Sequence, residues 1–168
     1  MKEYIMLHDK EKRPYLEKVM EINVEDSSDV KEVITSIIFK KRFHKLAIEN
    51  GYVFAYNKHN KLLGSFLLSV GTQEQCTIFE RTLFSFLILV GADTFYYLHN
   101  HPVGTHRPSE PDLANANYLT DLANKLDMKM EDSIIISSNG FYFMNTQESI
   151  DWTDEQLAML EDAYAEED

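Results

Sequence analysis

Cysteine and long apolar runs are the features that this 168-residue sequence most clearly lacks. A single cysteine, Cys76, excludes an intramolecular disulfide and any metal site built from several cysteines. The richest apolar stretch, Leu83 to Val90, lies between Arg81 and Gly91 and is too short to cross a bilayer. An apolar N-terminal run typical of a signal peptide is also missing. We therefore expect a cytoplasmic protein that has no membrane segment.

Glycine and proline are scarce as well, with six and four residues, and no segment rich in them divides the chain. Because 44% of the residues are hydrophobic, the chain can bury one core of ordinary size. We therefore expect a single domain over residues 1–150. Within it, residues 1–27 form an N-terminal extension of uncertain structure, with one strand around Leu16 to Val24.

Lysine and arginine are absent from residues 151–168, which hold eight acidic side chains. This segment carries most of the net charge of −12 and leaves −4 for the rest of the chain. Because Thr153-Asp-Glu-Gln156 resembles a capping box, we predict an acidic C-terminal helix and tail, either solvated or used for docking. The acidic total opposes the counterion release that drives phosphate binding, so we expect no direct binding to nucleic acid.

Hydrophobic periodicity predicts a mixed α/β fold, in which helices flank a sheet. Apolar alternation and short apolar runs indicate strands over Tyr52–Tyr56, Leu62–Val70, Thr94–Leu98, Ser133–Ser137 and Phe141–Asn145. Helical spacing indicates helices over Val30–Ile38, Thr82–Val90 and Leu113–Leu126. By pattern the second of these could also be a strand; Gly91 as a C-cap, together with the family resemblance given below, favours a helix. The first is followed by basic residues that suit a helix C-terminus, namely Lys40, Lys41, Arg42 and Lys45.

The strongest functional signal lies in residues 99–112, which read His-Asn-His-Pro-Val-Gly-Thr-His-Arg-Pro-Ser-Glu-Pro-Asp. His99 and His101 fall at the end of a predicted strand, where side chains at i and i+2 point to the same face. The loop then leads into a helix whose first turn contains Asp112. Two imidazoles and a carboxylate could bind one divalent metal ion and leave a fourth position open, as in catalytic zinc sites.

Each of these residues also has a purely structural explanation. A single histidine at a strand end is more often a hydrogen-bonded structural residue than a metal ligand. Ser109 and Asp112 match a capping box, which satisfies the first N–H groups of a helix. His106 is a third histidine in the loop and could replace Asp112 as a ligand, or lie near a substrate.

The spacing of His99, His101, Ser109 and Asp112 resembles the JAMM motif of the JAB/MPN metallohydrolases. Asn100 and Gly104 make the loop most similar to the bacterial RadC-like branch, and the similarity extends over about half the chain, from residue 49 to 132. Outside the loop it includes Gly71-Thr72, Arg81 and Asp132. The resemblance implies a JAB/MPN fold, which has a cytidine-deaminase-like architecture.

The JAMM motif also contains an upstream glutamate, which the RadC-like register places at Glu49, just before the strand Tyr52–Tyr56. Glu74 and Glu80 are alternatives, and Glu49 could instead end the preceding helix in solvent. The chain departs from the branch at three positions, where serine, glutamate and histidine are more usual: Val103, Thr82 and Ser133.

The resemblance implies one Zn²⁺ ion per chain, bound by His99, His101 and Asp112. Zinc would activate a water molecule, Glu49 would act as general base and then acid, and Ser109 would donate a hydrogen bond to the oxyanion. The implied reaction is hydrolysis of an amide bond in a protein or peptide, isopeptide bonds included.

Two other functions are open on the sequence alone. The chain could be a non-catalytic JAB/MPN module that makes protein contacts and shares the DNA-repair label of RadC without binding DNA. A metal-dependent nuclease is the third possibility, and the negative charge disfavours it. The chain could also form a homo-oligomer.

Overall fold

Short apolar and aromatic runs of the sequence become the strands of one sheet. The computed structural model describes residues 1–21, 32, 34–37, 43–72 and 77–162. Over these residues an eight-stranded mixed sheet is combined with helices, which confirms the predicted mixed α/β fold. The strands are β1 (Lys2–His8), β2 (Pro14–Glu21), β3 (Asn50–Tyr56), β4 (Leu62–Val70), β5 (Thr94–Asn100), β6 (Lys129–Ser137), β7 (Gly140–Phe143) and β8 (Glu148–Asp151). The helices are α1 (Glu80–Val90), α2 (Glu110–Lys125) and α3 (Asp154–Asp162), with a short 3₁₀ helix at Phe43–Lys45.

The strand order in the sheet is β2-β1-β4-β3-β5-β6-β7-β8. Neighbouring strands are antiparallel, except that β1 is parallel to β4 and β5 is parallel to β6. Helix α2 connects β5 to β6, as a parallel pair requires. Because β3 is antiparallel to β5, the residues that lead into β3 lie next to the C-terminal end of β5.

Side chains from both faces of the sheet form the core. Every residue of β3 is buried, and its side chains alternate between two apolar clusters. Val53 and Ala55 belong to the cluster that α1 and α2 cover. Tyr52, Phe54 and Tyr56 belong to the other cluster. Burial of each large apolar side chain stabilises the fold by about 1.5–3 kcal/mol, which fixes β3 at the centre of the sheet.

The end of α1 explains why the run Thr82–Val90 forms a helix rather than a strand. Gly91 adopts a left-handed conformation with φ 74° and ψ 40°. Its N–H donates to the carbonyl of Ile88 at 3.2 Å, and the next N–H, of Ala92, donates to the carbonyl of Leu87 at 2.9 Å. These bonds satisfy the last carbonyl groups of the helix, and the helix prediction is confirmed.

The N-terminal region differs from its prediction of one strand around Leu16 to Val24. It forms a hairpin of β1 and β2, and β1 joins the sheet beside β4. The side chain of Asp9 organises the turn, because its Oδ1 accepts hydrogen bonds from the N–H groups of Glu11 and Arg13, both at 2.9 Å. The apolar run of β1 is only four residues long, over residues 4–7, and β4, beside which it joins the sheet, is distant in sequence, so local periodicity does not reveal this strand.

The C-terminal hairpin is also larger than its prediction. Strand β7 ends at Phe143 rather than at Asn145, and a further strand, β8, pairs with it. Trp152 follows β8, packs into the core and donates its Nε1–H to the carbonyl of Ser137 at 3.2 Å. The chain is therefore still in contact with the sheet at the predicted start of the acidic segment, residue 151.

Helix α3 begins with the predicted capping box. The N–H of Gln156 donates to Thr153 Oγ1 at 3.1 Å, and the N–H of Thr153 donates to Gln156 Oε1 at 2.9 Å. Residues 32 and 34–37 are helical, in agreement with the helix predicted over Val30–Ile38 where the structure describes it. The basic residues 40–42 and residues 163–168 of the tail lie outside the described residues. In the described ranges, no helix combines the length and the apolar character needed to cross a bilayer.

Candidate metal centre

His99 and His101 lie at the C-terminal end of β5, in the middle of the sheet. His99 is opposite Gly51 of β3 and Ile135 of β6. The N–H of His101 donates to the carbonyl of Ile136 at 2.7 Å, which continues the pairing with β6 beyond the end of β5. The two ring centroids are 5.0 Å apart, as expected for i and i+2 side chains on one face of a strand.

Asp112 reaches the site from the first turn of α2, where it forms a capping box with Ser109. The N–H of Asp112 donates to Ser109 Oγ at 3.3 Å. In return, the N–H and the hydroxyl of Ser109 both donate to Asp112 Oδ2, at 2.8 and 2.6 Å. The capping explanation is therefore correct, and it holds the carboxylate in a fixed position at the helix end.

The same carboxylate also contacts both imidazoles. Asp112 Oδ1 lies 3.0 Å from His99 Nε2, and Oδ2 lies 3.3 Å from His101 Nε2. The two Nε2 atoms are 3.2 Å apart, and one potential ligand atom from each residue lies within 4.8 Å of the others. His99, His101 and Asp112 therefore form a group that could hold a metal ion.

The tautomer of His101 favours a cation at this point. Its Nδ1 lies 2.9 Å from the carbonyl oxygen of Thr105, which can only accept, so Nδ1 carries the proton. In the neutral ring, the lone pair of Nε2 then faces the Asp112 oxygens and His99 Nε2. Lone pairs that converge in this way need a proton or a cation between them. A histidine that binds a metal through one ring nitrogen commonly donates its other ring N–H to a backbone carbonyl, which orients the ring.

The ionisation of Asp112 suits a metal ligand as well. Burial opposes its negative charge, but hydrogen bonds with His101 and His99 outweigh burial and hold the pKa of this carboxyl well below its usual range. Burial likewise opposes protonation of His101, yet hydrogen bonds with Asp112 and the Thr105 carbonyl raise its pKa overall. Asp112 is therefore ionised at neutral pH, as a coordinating carboxylate must be.

Glu49 reaches the same cleft from the position just before β3. Its side chain is 7% exposed. Its N–H donates to the carbonyl of Thr72, and its carbonyl accepts from the N–H of Gly71, both at 2.7 Å, so that the β3–β4 pairing continues through it. Burial raises the pKa of Glu49, while the nearby charges of His99 and His101 act in the opposite direction. The structure thus brings Glu49 together with the three potential ligands.

The two alternative glutamates have different positions. Glu80 lies in the first turn of α1 and lines the same cleft, but it is only partly buried. Glu74 lies outside the described residues. Glu49 is the buried carboxyl on which the charges of all three potential ligands act, which makes it the better candidate for the upstream glutamate.

His106 is not part of the ligand group, although it is buried. Its Nε2 lies 2.9 Å from Ser149 Oγ, and its Nδ1 lies 3.3 Å from Ser137 Oγ. Asp151 Oδ1 is 3.5 Å from the same Nε2. Both ring nitrogens therefore face the C-terminal hairpin, and His106 ties the loop to β6 and β8 instead of replacing Asp112 as a ligand.

The three potential ligands and Glu49 line a cleft of about 870 Å³. Val103 and Tyr118 also line it, and they are 70% and 50% exposed. Among the described residues, no lysine or arginine lines the cleft. The walls thus combine apolar surface with acidic and neutral polar groups.

Tyr97 and Gly51 support His99, and sequence analysis does not single out either residue. The Tyr97 ring stacks on the His99 imidazole, with centroids 5.7 Å apart and an interplanar angle of 27°. The Tyr97 hydroxyl approaches β3 where Gly51 has no side chain, since a Cβ there would lie 2.6 Å from it. A glycine directly opposite a histidine that ends a strand indicates such close approach, but only once the register is known.

Asn100 is noted in the sequence only as part of the family resemblance, and its structural role is missed. Its side chain is buried and hydrogen-bonds to the backbone of residues 46–50. Strand alternation could have revealed this, because a residue between two histidines that share one face must point to the opposite face.

The other positions shared with the RadC-like branch have structural roles or lie on the surface. Asp132 Oδ1 accepts hydrogen bonds from the N–H groups of Ser133 and Asn145, at 2.7 and 2.8 Å, and so connects β6 to the residues after β7. Arg81 is exposed on α1. Ser133 and Val103, two of the departures, line the cleft, so they change its walls without removing a potential ligand.

The sequence is similar to one known family and to curated bacterial proteins. The family model described as RadC-like JAB domain matches residues 24–149. A UPF0758 protein of Finegoldia magna is 30% identical over 113 residues, which are 63% of this chain and 51% of that protein. A UPF0758 protein of Chlorobium chlorochromatii is 30% identical over 94 residues, 56% and 42% of the two chains. One of Neisseria meningitidis serogroup B is 29% identical over 99 residues, 58% and 44%.

The chain thus spans about half the length of the curated relatives that it matches, or less. The family model, in contrast, matches most of this chain, and the matched range includes the two histidines, Ser109, Asp112 and Glu49. On this basis, the chain belongs to the RadC-like JAB domain family.

Proposed function

We propose that this chain is a zinc-dependent hydrolase that cleaves a peptide or isopeptide bond in a protein or peptide substrate. The observation that carries the proposal is that Glu49 lies in one cleft with His99, His101 and Asp112. A structural zinc site is closed by four protein ligands. The group here has three potential ligands and opens into the cleft, which is the arrangement of a catalytic site.

The donor set fits zinc. Two imidazole nitrogens and one carboxylate oxygen are common ligands of catalytic zinc, and they are the three ligand atoms that the group offers. When bound, zinc would lower the pKa of a water molecule to about 7 and polarise the attacked carbonyl group. The contact of His101 Nδ1 with Thr105 and the capping of Asp112 by Ser109 hold two of the ligands in place beforehand.

In this mechanism, Glu49 takes a proton from the attacking water and later gives it to the departing amine. A general base works best when its pKa is near the working pH, and burial raises the pKa of Glu49 in that direction. Its backbone bonds to Gly71 and Thr72 fix the part of the backbone that carries the side chain. A buried carboxyl next to the ligand group suits repeated transfer of one proton.

Ser109 is proposed to donate a hydrogen bond to the oxyanion. Its single hydroxyl proton points to Asp112 Oδ2 at 2.6 Å, so the hydroxyl has to rotate away before it can serve the oxyanion. The backbone N–H of Ser109 also donates to Asp112 Oδ2, at 2.8 Å, and it can hold the carboxylate after that rotation.

The test combines metal analysis with a substrate survey. Protein purified with zinc is expected to hold one ion per chain, and His101→Ala is expected to lose it. A pool of unstructured peptides, including branched peptides joined through lysine Nε, is then incubated with the protein, and new termini are detected by mass spectrometry. Glu49→Gln is expected to keep zinc and to lose cleavage. Glu80→Gln is the matched control, since it makes the same change in the same cleft and should retain cleavage.

Three outcomes would contradict the proposal. Wild-type protein that holds no zinc, or whose zinc content is unchanged in His101→Ala, would refute the metal site and favour the non-catalytic interaction module. Full cleavage by Glu49→Gln, with loss of cleavage in Glu80→Gln, would show that the base is Glu80 and that its assignment to Glu49 is wrong. Zinc-loaded protein that cleaves no peptide in the pool would count against the substrate class.

A further inference from the structure

Asn100 separates the two histidines in sequence but directs its amide group to another part of the chain. It is 2% exposed. Its Oδ1 accepts a hydrogen bond from the N–H of Asn50 at 2.8 Å. Its Nδ2 donates to the carbonyls of Ile48 at 3.0 Å and Leu46 at 3.4 Å. All three partners are backbone groups of the segment that leads into β3, and that segment includes Glu49.

The Asn100 side chain takes the place of a backbone ladder at this point. Regular pairing of β3 with β5 ends at Gly51 and His99. The same register, continued, would put Asn50 opposite Asn100 and Glu49 opposite His101. The amide of Asn100 instead bonds to the residues on either side of Glu49. On its other edge, the same segment pairs with residues 71 and 72 at the end of β4.

We propose that Asn100 is a positioning residue that holds Glu49 at the metal site through the backbone of residues 46–50. Because Asn100 is covalently joined to His99 and His101, its bonds couple the position of the glutamate to the position of two potential ligands. The importance of this coupling for catalysis rests on the proposed function, whereas the coupling itself can be tested without a substrate.

The first test measures hydrogen exchange of individual amides by NMR in zinc-loaded wild type and in Asn100→Ala. Exchange at Asn50 and Glu49 is expected to be about tenfold faster or more, because Asn50 loses its acceptor and the segment loosens. Exchange at His101, whose N–H donates to the carbonyl of Ile136, is expected to stay within about threefold. Faster exchange at Asn50 alone, with Glu49 unchanged, would overturn the proposal.

The matched control is Asn145→Ala. Asn145 also donates its Nδ2–H to a backbone carbonyl, that of Glu131 at 2.6 Å, but on the other side of the sheet centre. Its removal deletes an amide-to-carbonyl bond at an exposed position and should leave exchange at Asn50 and Glu49 at wild-type rates. If it accelerates both amides as much as Asn100→Ala does, the effect is general destabilisation and the proposal fails.

The second test replaces zinc by Co²⁺ and records the visible absorption, which depends on the groups around the metal. Asn100→Ala is expected to reproduce the spectral change of Glu49→Gln while the Kd for Co²⁺ stays within about threefold of wild type, because all three potential ligands are retained. A spectral change in Glu49→Gln that is missing in Asn100→Ala would overturn the proposal. No spectral change in Glu49→Gln would instead count against Glu49 as the base, and the exchange data would still decide the role of Asn100.

Asn100→Asp provides a rescue and a second variant if the alanine variant does not fold. It keeps an acceptor for the N–H of Asn50 but loses the donors to Ile48 and Leu46. The exchange rate of Asn50 is expected to return to within about threefold of wild type. The exchange rate of Glu49 is expected to lie between the rates in the alanine variant and in wild type. Glu49 exchange at the wild-type rate in this variant would show that the Nδ2 bonds do not hold the segment.

Discussion

Replacement of Gly51 by alanine tests how the sheet supports the metal site. A Cβ at this position would lie 2.6 Å from both Ser69 Oγ and the Tyr97 hydroxyl, and 3.1 Å from Tyr97 Cε2. Ser69 and Tyr97 are 5% and 4% exposed, so neither can move into solvent without leaving the packed sheet. The added methyl group therefore has to displace both of these buried side chains.

The expected cost is moderate. Overpacking of a buried site costs about 1–3 kcal/mol, and alanine offsets about 0.5–1 kcal/mol of this because glycine loses more backbone freedom on folding. These limits allow a net loss of about 0–2.5 kcal/mol, and the middle of the range gives a loss of about 1–2 kcal/mol in the free energy of unfolding. For a chain of this size, it corresponds to a decrease in Tm of about 2–8 °C.

The substitution should also weaken zinc binding, because Tyr97 stacks on His99 at 5.7 Å. Urea denaturation and zinc titration of the same variant measure the two effects. Tyr97→Phe, which removes one of the two clashing oxygens, should recover part of both losses when combined with Gly51→Ala. The coupling energy in this double-mutant cycle is expected to be about 0.5–1.5 kcal/mol.

Gly91→Ala is the control for a glycine substitution. Its Cβ would meet nothing within 4 Å, but its φ of 74° costs an alanine about 1–2 kcal/mol. It should lower stability by a similar amount and leave zinc affinity unchanged. Wild-type stability of Gly51→Ala would refute the overpacking argument, and a loss of stability with unchanged zinc affinity would refute the connection through Tyr97 to His99.

Three further outcomes are expected. Ser109→Ala should lower the free energy of unfolding by about 1 kcal/mol through loss of the cap, and Ser109→Thr should restore most of it in thermal denaturation. Burial lowers the pKa of His106, against the opposing charge of Asp151, so the fold favours its neutral form. The stability that comes from the neutral form of His106 is present above the unfolded pKa near 6.5 and is lost as the pH falls below that value. In urea denaturation between pH 7 and 5, His106→Gln should therefore lose less stability than wild type. Zinc at about 100 times its Kd should raise the free energy of unfolding by about 2.7 kcal/mol, reversibly with a chelator, and His101→Ala should abolish this increase.

The features that the sequence predicts correctly are those that local geometry determines. Alternation along a strand places His99 and His101 on one face, and a capping box locates Ser109 and Asp112 at the start of α2. Each inference spans only a few residues. The same holds for the helix that ends at Gly91, where a left-handed residue marks the C-terminus.

The features that the sequence does not predict depend on pairing between distant segments. Strand β1 pairs with β4, about 60 residues away in the chain, and its own apolar run is only four residues long. The close approach of Tyr97 to Gly51 exists only because β3 and β5 are neighbours in one particular register. His106 looks like a potential ligand in sequence, and only the position of β8 shows that Ser149 occupies its Nε2.

Glu49 belongs to neither group. The family resemblance identifies it as the upstream glutamate, but local geometry cannot show that it approaches the histidines. It lies 50 residues before His99, and the two approach each other because β3 is inserted between β4 and β5 and runs antiparallel to β5. The glutamate and the ligand group are therefore carried by separate strands, and Asn100 bonds one strand end to the other. In the proposed mechanism, proton transfer and metal binding can then be perturbed independently. Replacement of the Glu49 carboxyl should affect turnover at constant zinc affinity, and changes at His101 or Asp112 should affect both.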